Sequence, residues 1–214
     1  NMGDESDMAL QRAFDLSEVE GPVEMTFQAW YDLETDYDYV FVSATTDGES
    51  WQLLEPTSCT TNNPSGNSYG CGLNGASNIW RLQTVDLSAF AGREVTVRFD
   101  YVKDAAVNGI GLAIDDIEVA AIDYASDFEQ DEGGWQADGF VRIENVLPQT
   151  FRVTLVTFGD EITVIPLELN ADNTLSTDLN LTGDIYQAVL VISGTTPFTR
   201  QSATYQVELL PQGE

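Results

Sequence analysis

Two adjacent carboxylates, Asp115 and Asp116, sit between isoleucines in Gly109-Ile-Gly-Leu-Ala-Ile-Asp-Asp-Ile-Glu-Val119. The stretch reads as a β-strand, and successive side chains of a strand point to opposite faces. One of the two carboxylates is therefore expected to face the inside of a sheet or its rim. A buried carboxylate stays charged only with a partner. The chain carries 36 acidic residues against 8 basic ones, and Lys103 is its single lysine. In a chain so poor in cations the natural partner is a metal ion. The expected chemistry is a cation held by oxygen atoms.

Calcium fits such a donor set, because it takes six to eight oxygen ligands from carboxylates and carbonyls. Asp116 and Asp115 are the best suppliers. Asp4 and Glu5, in the acidic N-terminal cluster, could approach them if the first and last strands pair. Asp36 and Asp38 precede a strand and are further candidates. The competing reading of Asp115 and Asp116 is hydrogen bonding to backbone amides or pairing with an arginine such as Arg98. No EF-hand spacing is present.

Other chemistries are closed or weakly supported. The sequence has no histidine, which excludes Ser-His-Asp triads, Cys-His dyads and His-ligated zinc. Some carboxylate pairs will lie at glycosidase-like distances by chance, but none stands out. The formal charge of −28 argues against nucleic acid and anionic membrane surfaces as partners. Charge of this size strains a compact state by self-repulsion, and bound divalent cations or a saline medium would relieve it. No apolar run approaches the roughly 20 residues that span a bilayer. The opening residues carry no signal peptide and read as the interior of a longer protein.

Recognition of a sugar or a protein is the other chemistry to weigh. Exposed aromatic rings stack on sugars, and Trp30, Tyr31 and Tyr69 are candidates. Aromatic residues at period two are otherwise core or cross-strand packing. Cys59 and Cys71 bracket a polar loop that contains Tyr69. Such spacing suggests a disulfide formed in an oxidising compartment, with two free thiols as the alternative. Closure would remove about 3 kcal/mol of unfolded-state entropy. A loop held in this way is a plausible recognition element.

The elements that must position these residues are strands almost throughout. Of the sequence, 43% is hydrophobic, as in a globular chain. Period-two alternation predicts strands over 10–14, 23–31, 37–44, 51–54, 80–85, 95–102 and 112–119. Asp47-Gly48 is a hairpin signal, and 86–92 reads as a short helical turn. The polar stretch from Ser126 to Gly134 has linker composition. A second set of strands is expected over 139–144, 151–158, 161–170, 174–180, 186–193 and 203–210. Trp135 and Phe140 read as the plug of that second core. The predicted fold is all-β: an antiparallel jelly-roll sandwich over 1–121, then a smaller immunoglobulin- or fibronectin-like β-sandwich over 122–214.

Several blocks together resemble a known family. They are Trp30-Tyr-Asp32 with Asp36-Tyr-Asp-Tyr-Val-Phe-Val-Ser43, Thr46-Asp-Gly-Glu-Ser-Trp51, Asp86-Leu-Ser-Ala-Phe-Ala-Gly92 with Val97-Arg-Phe-Asp-Tyr-Val102, and Asn108-Gly-Ile-Gly111 leading into Ile114-Asp-Asp-Ile117. In the second half they are Gly134-Trp-Gln-Ala-Asp-Gly-Phe-Val-Arg142, Leu147-Pro-Gln149 and Ala188-Val-Leu-Val-Ile-Ser-Gly194. The series is similar to the C-terminal region of the immune inhibitor A family of secreted metallopeptidases. That resemblance implies a MAM-like, galactose-binding-like jelly roll, which in such proteins often holds a structural calcium ion. The family's zinc-binding His-Glu-x-x-His helix is absent here, so peptidase activity does not carry over. The implied role is a non-enzymatic accessory region of a secreted or cell-surface protein. Its partners would be the parent's own catalytic domain and an extracellular protein or glycan. The alternative is a carbohydrate-binding or adhesive extracellular module.

Overall fold

Alternation of apolar and polar side chains lets a segment bury one face and wet the other, which is what a sheet of a sandwich requires. The computed structural model describes residues 7–105, 107–143, 146–179, 183–197, 199 and 201–210. In chain order its strands are β1 (Asp7–Asp15), β2 (Glu24–Asp32), β3 (Tyr39–Thr45), β4 (Gln52–Leu54), β5 (Arg81–Asp86) and β6 (Glu94–Val102). There follow β7 (Gly111–Val119), β8 (Tyr124–Ser126), β9 (Gln136–Asp138), β10 (Phe151–Phe158), β11 (Ile162–Leu167) and β12 (Gln187–Gly194). The helical content of the described residues is two short 3-10 turns. One of them, Ser88–Phe90, lies within the expected turn over 86–92. No helix among the described residues is long and apolar enough to cross a membrane.

The chain divides into two compact units, Asn1–Arg142 and Ile143–Glu214. In the first, a five-stranded sheet of order β4-β3-β6-β1-β9 and a four-stranded sheet of order β5-β2-β7-β8 are antiparallel throughout. Their inner faces supply Leu10, Phe14, Val40, Val42, Val97, Phe99 and Tyr101 on one side and Met25, Phe27, Ala29, Tyr31 and Ile117 on the other. Phe27 meets Phe99 edge-on at 4.9 Å across this core.

The seam lies further along the chain than 121/122. β8 pairs with β7 and β9 pairs with β1, so the linker-like stretch after Ala121 is built into the first unit. Trp135, read from the sequence as part of a second core, is 5% exposed in the first. It packs on Phe14 and Phe99 at 5.8 and 5.5 Å, and its Nε1 donates to the Tyr124 hydroxyl at 2.8 Å. Phe140 also packs against this core. The apolar payload of an indole outweighed the polar composition around it.

The strand carrying Asp115 and Asp116 is not regular. Leu112 and Ile114 pack against the core, then Ile117 and Val119 are fully buried. The inward positions therefore shift from even to odd within β7. A β-bulge produces the shift: the pairing with β2 slips between Thr26 and Gln28, and Asp116 adopts a left-handed φ of 48°. An extra residue on one strand reverses which side chains face inward. Asp116 is consequently exposed and Asp115 half-buried. Of the pair expected to place one carboxylate at the sheet interior or its rim, the bulge thus leaves Asp115 partly enclosed and turns Asp116 to solvent.

β3 is buried on both faces. Its inner side chains enter the core, and its outer ones, Tyr39 and Phe41, stack at 5.9 Å with Tyr69 stacked on Phe41 at 5.2 Å. The loop carrying Tyr69 is closed by a disulfide between Cys59 and Cys71, whose Cα atoms are 5.2 Å apart.

The described residues of the second unit form one antiparallel sheet of order β11-β10-β12. Val153, Leu155 and Thr157 on β10 are buried. The further strands expected at 139–144, 174–180 and 203–210 are not strands among the described residues, apart from isolated bridge pairing at Gly139.

Candidate metal centre

The loop from β2 to β3 and the loop from β6 to β7 meet at one end of the first unit. Glu34 and Asp38 come from the former and Asp104 from the latter. One carboxylate oxygen from each lies within 4.8 Å of the other two.

Local chemistry fixes both loops. The amides of Tyr37 and Asp38 donate to the Glu34 carbonyl at 3.2 and 3.0 Å, closing a tight turn that Asp36 completes with φ 71°. The Asn74 side chain donates to the Asp38 carbonyl at 2.8 Å and accepts from the Asp36 amide at 3.1 Å. Asparagine can bridge in this way because its amide both donates and accepts. On the other loop, a side chain at Gly109 would collide with the Asp32 carbonyl. The Ile110 amide donates to the Asp32 carboxylate at 3.3 Å.

The electrostatics of the cluster are strained. Asp38 is fully buried, and it accepts from the Asp104 amide at 3.2 Å and the Tyr101 hydroxyl at 3.4 Å. Burial pushes its carboxyl above the usual range. The Asp104 amide and the Lys103 ammonium pull it back in part, while the Asp104 charge adds to the rise. Glu34 is also raised, by desolvation first and then by the charges of Asp104 and Asp38. Burial and the neighbouring Asp38 carboxylate push the Tyr101 phenol upward. Glu34 Oε2 and Asn108 Oδ1, the latter in the same loop as Asp104, are buried acceptors without a hydrogen-bond donor. Buried acceptors are normally satisfied. Convergent, all-oxygen and net negative, the donor set suits a hard cation and offers nothing soft for zinc or copper.

The sequence-derived candidates are distributed unevenly. Asp38 lies in the cluster. Asp36 instead tethers the disulfide loop, accepting from Asn62 Nδ2 at 2.8 Å. Asp115 accepts from the Asp116 amide at 2.8 Å, which matches the competing reading of backbone hydrogen bonding. Its carboxyl is raised by burial and then by the charges of Asp116, Glu129 and Asp127. Asp115 and Asp116 do not join the three-carboxylate cluster. Arg98 pairs with Asp100 at 2.7 Å rather than with either of them. Asp4 and Glu5 lie outside the described residues. Of the aromatic candidates, Tyr31 is a core residue at 5% exposure, Trp30 is half-buried and Tyr69 is exposed.

Sequence reasoning missed Glu34 and Asp104. The alternation Glu34-Thr-Asp36-Tyr-Asp38 puts an acid at every second position ahead of a strand, and Lys103-Asp104 directly follows another strand. Those were the available signals.

Residues 1–145 match the family model described as immune inhibitor A-like, MAM domain. The chain is 30% identical over 95 residues to the pre-pro-metalloprotease PrtV of Vibrio cholerae serotype O1 (strain M66-2), a match covering 44% of this chain and 10% of that protein. It is 29% identical over 98 residues to bacillopeptidase F of Bacillus subtilis (strain 168), covering 45% of this chain and 6% of that one. The matched region spans a tenth or less of either relative. What is matched is a MAM-like module, a non-catalytic part of such proteins. The chain belongs to the immune inhibitor A-like MAM domain family.

Proposed function

We propose that this chain is a calcium-stabilised accessory region of a secreted metallopeptidase-like protein. It supports the parent's catalytic domain or docks its substrate or a cell surface. Glu34, Asp38 and Asp104 hold the ion, with Asn108 as a further oxygen donor. The ion supplies positive charge between two loops whose carboxylates otherwise repel. It has no reaction to promote, and its work is to lock one end of the sandwich.

The observation that carries this reading is the convergence of three carboxylates beside the buried, donorless oxygens of Glu34 and Asn108. A cation that binds only the folded state stabilises it in proportion to the logarithm of its concentration. Metal analysis by mass spectrometry, with thermal melting in calcium and in EDTA, tests the reading. Stoichiometric calcium and a chelator-sensitive melting temperature are expected. Identical melting in both buffers, with no metal retained, overturns it. For the accessory role, the parent protein with and without this region should differ in the yield or stability of its catalytic domain.

A further inference from the structure

We propose that the outer face of the five-stranded sheet carries a groove for a neutral saccharide. Tyr69 and Trp51 would form its aromatic walls, and the Arg98–Asp100 pair its polar floor. This inference is independent of the calcium reading, since none of these residues belongs to the carboxylate cluster.

The strand register builds the groove. Ser43 lies opposite Arg98, and Phe41 opposite Asp100, on the β3–β6 pair. These side chains alternate with those that enter the core, so all of them share the outer face. Asp7 of β1, Val102 of β6 and Leu53 of β4 complete a depression of about 210 Å³. Pockets for drug-sized ligands run to roughly 300–1,000 Å³. The smaller space suits one compact ring.

Tyr69 is held rigid at the rim. Its ring stacks on Phe41, which is buried and stacks in turn on Tyr39. The Tyr39 hydroxyl donates to the Asn62 carbonyl at 2.9 Å, fixing the loop from below. A Cβ at Gly70 would lie 2.6 Å from Leu53 Cδ1, so glycine allows the loop to seat closely. Tyr69 as a residue nevertheless remains 68% exposed. A rigid aromatic face presented to water adds nothing to the core and loses little entropy on binding.

The floor presents donor and acceptor side by side. The Arg98 guanidinium lies 3.8 Å above the Trp51 ring. Its Nε is 2.7 and 2.9 Å from the two Asp100 oxygens, and the Ser43 hydroxyl donates to Asp100 at 3.2 Å. Both charged side chains stay partly exposed, at 29% and 22%. The contacts to Asp100 run through Arg98 Nε, on one edge of the guanidinium. Each hydroxyl of a vicinal diol can donate to a carboxylate and accept from a guanidinium. A pyranose also has an apolar C–H face to lay on an aromatic ring.

Competing ligands fit less well. Asp100 matches the Arg98 charge, Asp7 lines the same depression, and the net charge of −28 repels anionic polymers. A wholly apolar ligand would desolvate the ion pair without compensation.

The test titrates the whole chain, in excess calcium, with short gluco-, galacto- and manno-oligosaccharides and with an oligouronate, by calorimetry and NMR. Saturable binding of at least one neutral probe is expected. Tyr69→Ala and Asp100→Asn should each weaken it by about tenfold or more, the scale of a well-placed contact. Trp80→Ala, which removes a ring 48% exposed outside the groove, should leave it unchanged. Absence of binding by every neutral probe at concentrations on the order of 10 mM overturns the proposal. So does affinity that Tyr69→Ala leaves intact. Binding of the oligouronate alone, lost in Arg98→Gln, overturns it in favour of an anion site. If Asp100→Asn unfolds because Arg98 loses its partner, the exposed Tyr69 decides the matter by itself.

Discussion

Replacing Asp38 by asparagine removes one charge from the carboxylate cluster while keeping the side chain's size. Without calcium two effects oppose each other. The buried carboxylate accepts two hydrogen bonds, from the Asp104 amide and the Tyr101 hydroxyl, and asparagine offers a single oxygen. Losing one such bond costs about 0.5–1.5 kcal/mol. Against this, the variant no longer buries a charge: desolvation and then the Asp104 charge push the Asp38 carboxyl upward, and the Asp38 charge in turn raises Glu34. The expected melting temperature in EDTA is therefore close to the native one or above it. With calcium the balance changes. At a hundredfold excess over its dissociation constant, a single site contributes about 2.7 kcal/mol. For a unit of this size that amounts to roughly 5–10 °C. The native chain should show that rise on adding calcium and Asp38→Asn should lose most of it. Paired scanning calorimetry in EDTA and in calcium, with calorimetric titration of the ion, measures both quantities. A variant that keeps the full calcium response refutes the assignment of Asp38 as a ligand. A variant that melts far lower in EDTA refutes the argument that the native carboxylate is strained.

Glu34, Asp38 and Asp115 are all raised above their ordinary values, so between the unfolded and folded values the native state binds more protons than the unfolded one. Stability in EDTA should then rise as pH falls from neutrality through the raised folded-state values of these carboxyls, and calcium should flatten that slope; melting that falls steadily over the same range would contradict this. Reducing the Cys59–Cys71 disulfide should cost about 3 kcal/mol, read as the difference in denaturant midpoint between oxidised and reduced chains. Phe99 is fully buried against Phe27 and Trp135, so Phe99→Ala should destabilise the first unit by about 3–5 kcal/mol in urea unfolding. A loss under about 1 kcal/mol would mean that this core collapses around the gap.

The strands from β2 to β7 were legible because alternation is a local property. Residues 23–31, 95–102 and 112–119 show it plainly, and they lie within one or two residues of β2, β6 and β7. The disulfide loop and the hairpin at Asp47-Gly48 were legible for the same reason, since their chemistry is confined to a few neighbours. Even the bulge left a trace. Leu112 and Ile114 fall on even positions, whereas Ile117 and Val119 fall on odd ones, and Asp115-Asp116 occupies the point of the slip.

Other features depended on distant parts of the chain. The weight of Trp135 could not be assigned to either core until β9 was seen to pair with β1. Tyr205-Gln-Val-Glu-Leu-Leu210 alternates as a strand should, yet a strand exists only when a neighbour accepts its backbone hydrogen bonds, and none does so among the described residues. Composition and alternation by themselves determined an acidic, all-β chain with oxygen ligands to spare and no histidine for catalysis. Which carboxylates converge was decided by strand order alone. Glu34 and Asp104 are seventy residues apart and meet because β3 pairs with β6, bringing the loop before the one beside the loop after the other. Pairing between strands is a long-range choice of hydrogen-bond partner, and the local pattern of side chains does not encode it.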